Sequence, residues 1–114
     1  MLKWLYKRIL RKLDLNKEEL LKLHTSLAPE RMSKGPFIQG AKMCPNTTAL
    51  ALKEKAVPFE VNSIRSRFAD RGISALELWI FYVVFDFPSR LSKTYFLNSI
   101  DTMKQGIKEL LEES

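Results

Sequence analysis

One histidine, His24, and one cysteine, Cys44, are all that the chain offers to metal-ligand and thiol chemistry. Together they cannot make a structural zinc set, and a lone cysteine cannot form an internal disulfide. Glycine is scarce as well: Gly35, Gly40, Gly72 and Gly106 are scattered, so no glycine-rich phosphate loop is present, and no HExxH motif occurs. No metal and no cofactor is therefore expected, and an enzyme is the least favoured class. Long apolar runs are missing too. The longest, residues 78–85, would cover only ~12 Å as a helix, far short of a bilayer span. Lys7 and Arg8 interrupt any apolar stretch of secretory type near the start. A free thiol without such a signal fits a reducing compartment, and the expected location is cytoplasmic.

What remains is a globular balance. Of the 114 residues, 46% are apolar and 11% aromatic, which suits one core and a single domain over residues 1–114 rather than a disordered chain. The net charge of +6 is unevenly spread. Residues 1–57 carry twelve Lys/Arg against five Asp/Glu, whereas residues 58–114 carry seven against eight. That asymmetry raises the prospect of an anionic partner but says nothing of the fold.

Helical periodicity dominates. Leu2, Leu5, Tyr6, Ile9, Leu10 and Leu13 recur at i, i+3, i+4, i+7, i+8 and i+11, predicting a helix over 2–13. Asn16 with Glu19 has the spacing of a capping box and predicts a second helix over about 17–27. Residues 28–46 hold three of the five prolines and two of the four glycines and read as one long loop, with 37–39 as a possible extended piece. Asn46 is expected to cap a short helix through Lys55. Pro58 to Phe68 form another, stopped at Gly72. Ser74 and Glu77 then cap an apolar core element, 74–87, in which Trp79, Phe81 and Phe85 are expected to be buried. Pro88 should end it, Ser89 should cap a helix over 90–98, and a last helix should run over 101–113 with a frayed acidic end. The fold class is mainly α, a compact bundle of about five to seven short helices with one long loop. The alternative is α+β with a short strand at 78–85, because that run is rich in β-branched and aromatic residues.

Cys44-Pro45-Asn46-Thr47, followed by a helix and Val57-Pro58-Phe59-Glu60, is similar over fewer than twenty residues to the glutaredoxin pattern, in which a cysteine at a helix start has a lowered thiol pKa. Thr47 stands where the second cysteine of the dithiol motif belongs, and the Thr-Val-Pro segment is missing. Cys44 is accordingly read as a small apolar filler or an idle thiol. His24, aligned with Leu20 and Leu27, is read as a partly buried structural histidine.

The strongest functional signal is the first helix. Lys3, Lys7, Arg8, Arg11 and Lys12 occupy the face opposite the leucines, with Trp4 among them, and Arg31, Lys34 and Lys42 of the loop could extend the basic surface. Cations interleaved with an aromatic ring suit phosphate contact and base stacking on DNA or RNA. The leading expectation is a small, basic, non-enzymatic protein that engages nucleic acid through this helix. The alternatives are a protein-interaction or homo-oligomeric accessory subunit that buries Trp4 or part of the aromatic run, and, third, a binder of membrane surfaces.

Overall fold

A computed structural model describes residues 2–32, 38–39, 42–55 and 61–113. Its elements in chain order are α1 (Leu2–Leu13), α2 (Lys17–Ser26), a 3-10 turn (Pro29–Arg31), a two-residue strand pair β1 (Ile38–Gln39) and β2 (Lys42–Met43), α3 (Pro45–Glu54), α4 (Val61–Asp70), α5 (Ala75–Phe81), a π-turn (Tyr82–Asp86), α6 (Phe87–Leu91) and α7 (Lys93–Glu113). The protein is a mainly α helical bundle, and 78–85 is helical rather than a strand. Lys34 and Pro58 lie outside the described residues.

All six apolar positions of α1 are buried, as their spacing requires. This helix lies along α7 and also meets α3 and α5. Gly106 sits where α1 and α7 approach: a Cβ there would stand 3.3 Å from the Cγ atoms of both Lys3 and Lys7. An aromatic series threads the core, with ring centroids 5.9 Å apart for Tyr6 and Phe81, 5.5 Å for Phe81 and Phe85, and 6.0 Å for Phe85 and Phe96. It joins α1 to α7 through the middle of the 75–91 helix. The capping box at Asn16 and Glu19 forms with both reciprocal bonds, 2.8 and 2.9 Å.

Several local expectations are corrected. The loop 28–46 contains a 3-10 turn where none is expected, while an extended piece does form, pairing Ile38 with Met43 and Gln39 with Lys42 in antiparallel register. Cys44, not Asn46, caps α3: its Sγ accepts from the Thr47 N–H at 3.4 Å, leaving Asn46 inside the first turn. Trp79 is 61% exposed although Phe81 and Phe85 are buried. A helix with one face on the core turns position 79 away when 81 and 85 point inward. Pro88 does not end its helix. Lacking an N–H, it cannot pair with the Val84 carbonyl four residues earlier, and its ring crowds that carbonyl.

The helix responds by widening into the π-turn, in which the Phe87 N–H reaches back five residues to the Tyr82 carbonyl. The orphaned Val84 carbonyl then accepts from the Tyr95 hydroxyl of α7. The true break comes at Ser92, which is extended and whose Oγ accepts from the Tyr95 N–H. From there α7 runs unbroken for 21 residues instead of starting near 101. Two of its acidic side chains, Glu109 and Glu113, are ion-paired with Lys3, Lys7 and Arg11 of α1.

Candidate functional site

The cations of α1 meet the acids of α5 and α7. Lys3 and Lys7 straddle Glu109, each with Nζ 2.9 Å from a different carboxylate oxygen. Arg11 Nη2 donates to both Glu113 oxygens, at 2.7 and 3.1 Å. Lys12 reaches Glu77 at 2.6 Å and the Gly72 carbonyl at 2.8 Å. Arg8 stands 3.9 Å from the same Glu77 and 5.9 Å over the Trp4 ring, which is itself 64% exposed. Hydrogen bonds from Lys3 and then Lys7 hold the Glu109 carboxyl below its ordinary range, and the bond from Arg11 does the same for Glu113. Arg31 is exposed at the end of the 3-10 turn, and Lys42 stands in β2. The fold thus brings Lys3, Trp4, Lys7, Arg8, Arg11 and Lys12 to one face, as their spacing predicts, but with carboxylates among them. Five cations against three carboxylates leave a local charge near +2.

A second feature lies on the 75–91 helix. Leu76, Trp79, Ile80, Val83, Phe87 and Leu91 form one stripe along it and are all exposed, from 36% at Ile80 to 75% at Leu91. Their open surface comes to roughly 600 Å², at the upper end of what a soluble monomer presents in one patch. The signal was in the sequence: helical spacing through a run apolar on every side implies that one face is left over when the other packs.

Along one flank of the same helix, sharing Trp79 with the stripe, lies an open-mouthed cavity of about 380 Å³. Cys44, which caps α3, Asn46 in its first turn, Arg65 of α4, and Trp79, Tyr82 and Asp86 are among its walls. Asn46 and Asp86 are each only 3% exposed, yet Asn46 Oδ1 and Asp86 Oδ1 have no hydrogen-bond partner. Each such buried acceptor costs about 1–3 kcal/mol while unpaired. Burial pushes the Asp86 carboxyl up to about 7, with Arg90 pulling only partly the other way. Cys44 is buried and its thiol is raised, by desolvation first, against the opposing hydrogen bonds from Thr47. That is the reverse of an activated thiol. His24 is half-buried beside α7, and its pKa is lowered by burial and by Lys104 and Lys108. Asn46 and Asp86 carry no sequence motif; only the fold unites them.

No group of three or more His, Cys, Asp or Glu side chains suited to a metal occurs among the described residues. No single helix among them is long and apolar enough to cross a membrane; the pair Ser63–Asp70 and Ala75–Leu91 passes on composition but is bent by 110°. Comparison of the chain with protein-family models, with curated proteins and with solved structures finds no match.

Proposed function

We propose that the protein is a non-enzymatic interaction subunit that pairs with a second copy of itself through the stripe Leu76, Trp79, Ile80, Val83, Phe87 and Leu91. The observation that carries this is the exposure of six large apolar side chains on one helix face, whereas the other exposed large apolar side chains among the described residues, Trp4, Leu21 and Leu97, are spread one each over α1, α2 and α7. With its rim, a patch of roughly 600 Å² approaches the ~800 Å² that each partner gives to a standard interface. Trp and Arg, the side chains enriched at binding hot spots, sit in and beside the stripe as Trp79 and Arg90.

A two-fold axis makes the contact isologous. If the two helices run antiparallel and cross at Val83, midway along the stripe, Trp79 of each copy comes over Phe87 of the other. A parallel pair would instead bring the two Arg90 side chains together. Antiparallel pairing also opposes the helix dipoles.

Nucleic acid ranks behind a second copy. Phosphates would have to displace Glu77, Glu109 and Glu113 from the α1 cations. With a local charge near +2 rather than +5, the expected slope of log K against log salt on duplex DNA falls from between about −4 and −5 to about −2. Sedimentation equilibrium over a wide concentration range tests the proposal. The wild type should dimerise, and Val83→Arg should be monomeric with an unchanged helical circular-dichroism spectrum. A wild type that stays monomeric to millimolar concentration, or whose stripe is covered only by anionic vesicles or by a nucleic-acid probe, would overturn it.

A further inference from the structure

Beside the stripe, with Trp79 common to both, the cavity between α3, α4 and the 75–86 segment has the composition of a ligand site: apolar and aromatic walls with a few converging polar groups. Two of those groups, Asn46 Oδ1 and Asp86 Oδ1, are acceptors on side chains 3% exposed and have no donor in the protein. Where Asp86 is ionised, a partner that satisfies both oxygens must bring donors. A neutral hydroxyl could serve one acceptor, but a group with several N–H bonds and a positive charge serves both and also suits a carboxylate shielded from water.

The rings of Trp79, Tyr82 and Phe81 on the same walls are poor company for water; the Trp79 face favours a cation, while Arg90 already stands 5.8 Å over the Tyr82 ring. Two cations bear on the cavity. Arg65 of α4 is exposed, where solvent screens its charge, and Arg90 of α6 acts on Asp86 without cancelling the effect of its burial. The Cys44 thiol on the opposite wall stays neutral. The π-turn that sets Asp86 at the end of this wall is a distortion often found at functional sites, and here Pro88 imposes it.

We infer that the cavity binds a small primary amine with an apolar body, its ammonium group donating to Asp86 and Asn46 and its body lying against Trp79 and Tyr82. A volume of about 380 Å³ admits a molecule on the order of ten heavy atoms.

The probe is 2-phenylethylamine, titrated at pH 8 into the full chain and followed by nuclear magnetic resonance and calorimetry. The same titration uses 2-phenylethanol and 3-phenylpropionate, which share the body and change the head group. Saturable one-to-one binding of the amine is expected, at least tenfold tighter than that of either analogue. Asp86→Asn should weaken it tenfold or more while keeping the fold, and Asn46→Ala should weaken it less. Val83→Arg lies outside the cavity wall and should bind like the wild type, so the amine site and self-association fail or stand separately. No saturable binding at 10 mM would overturn the inference and leave the two acceptors to water. So would equal affinity for the alcohol, tighter binding of the carboxylate, or an Asp86→Asn variant that binds unchanged.

Discussion

Replacing Asp86 by asparagine should change how stability depends on pH more than it changes stability at any one acidic pH. In the unfolded chain the carboxyl titrates near ~3.9, whereas burial in the folded protein raises it to about 7. Between those values the folded state holds a proton that the unfolded state has released. Unfolding stability therefore falls as pH rises across this window, by up to about 1.4 kcal/mol per pH unit. Over roughly three units the loss approaches 4 kcal/mol, a large share of the ~5–15 kcal/mol that holds a domain together. Above pH 8 the group is ionised in both states and the loss is complete.

Asparagine keeps the shape and cannot ionise, so the loss disappears. Urea unfolding of both proteins at pH 5, 6, 7 and 8 measures it, and taking the difference between them cancels His24 and every other shared group. The stability of Asp86→Asn relative to wild type should rise steadily from pH 5 to pH 8. A difference that stays flat, or that favours wild type increasingly at high pH, would refute the assignment of Asp86 as a buried carboxyl of raised pKa.

The core and the stripe of the 75–91 helix should separate by mutation. Phe85→Ala should cost about 3–5 kcal/mol in denaturant unfolding, because the ring is fully buried between Phe81 and Phe96. Trp79→Ala, on the exposed side, should cost under about 1 kcal/mol when measured at concentrations too low for self-association. Tyr95→Phe removes the hydroxyl that serves the Val84 carbonyl left unpaired by Pro88, and should cost about 1–3 kcal/mol by the same assay with little change in helix content. Cys44 should resist thiol reagents in the folded protein and react at once in denaturant, since it is buried with a raised pKa. Fast labelling of the folded chain would contradict its placement.

Local rules carried the sequence reading where the chain obeys one constraint at a time. The α1 stripe and the Asn16–Glu19 box depend on spacing alone, and both form as spacing demands. At 78–85 the cap at Ser74 and Glu77 decided for helix against β propensity, and the Ser74 cap bond is present. Pro88 does not end the helix because a proline can be absorbed when another residue supplies the lost hydrogen bond. That residue, Tyr95, follows a chain break and belongs to a different helix, so no local pattern announces it.

The basic face of α1 was legible as a face but not as a paired one. Glu109 and Glu113 lie about a hundred residues away, and only the packing of α1 on α7 brings them to Lys3, Lys7 and Arg11. The charge asymmetry between the two halves of the sequence is partly cancelled by that same packing. Asn46 and Asp86 meet for the same reason, across forty residues, and each reads in isolation as an ordinary polar residue next to a proline-bearing turn.

Self-association through the exposed stripe is most directly tested by a cross-link at its midpoint. With Cys44 replaced by serine, Val83→Cys becomes the only thiol in the chain, and in an antiparallel pair crossing at residue 83 the two thiols face each other across the two-fold axis. Mild oxidation at micromolar protein should give a reducible dimer, and moving the cysteine to Leu21, exposed on α2, should give little. Equal and slow oxidation at both positions would contradict the pairing of these helices.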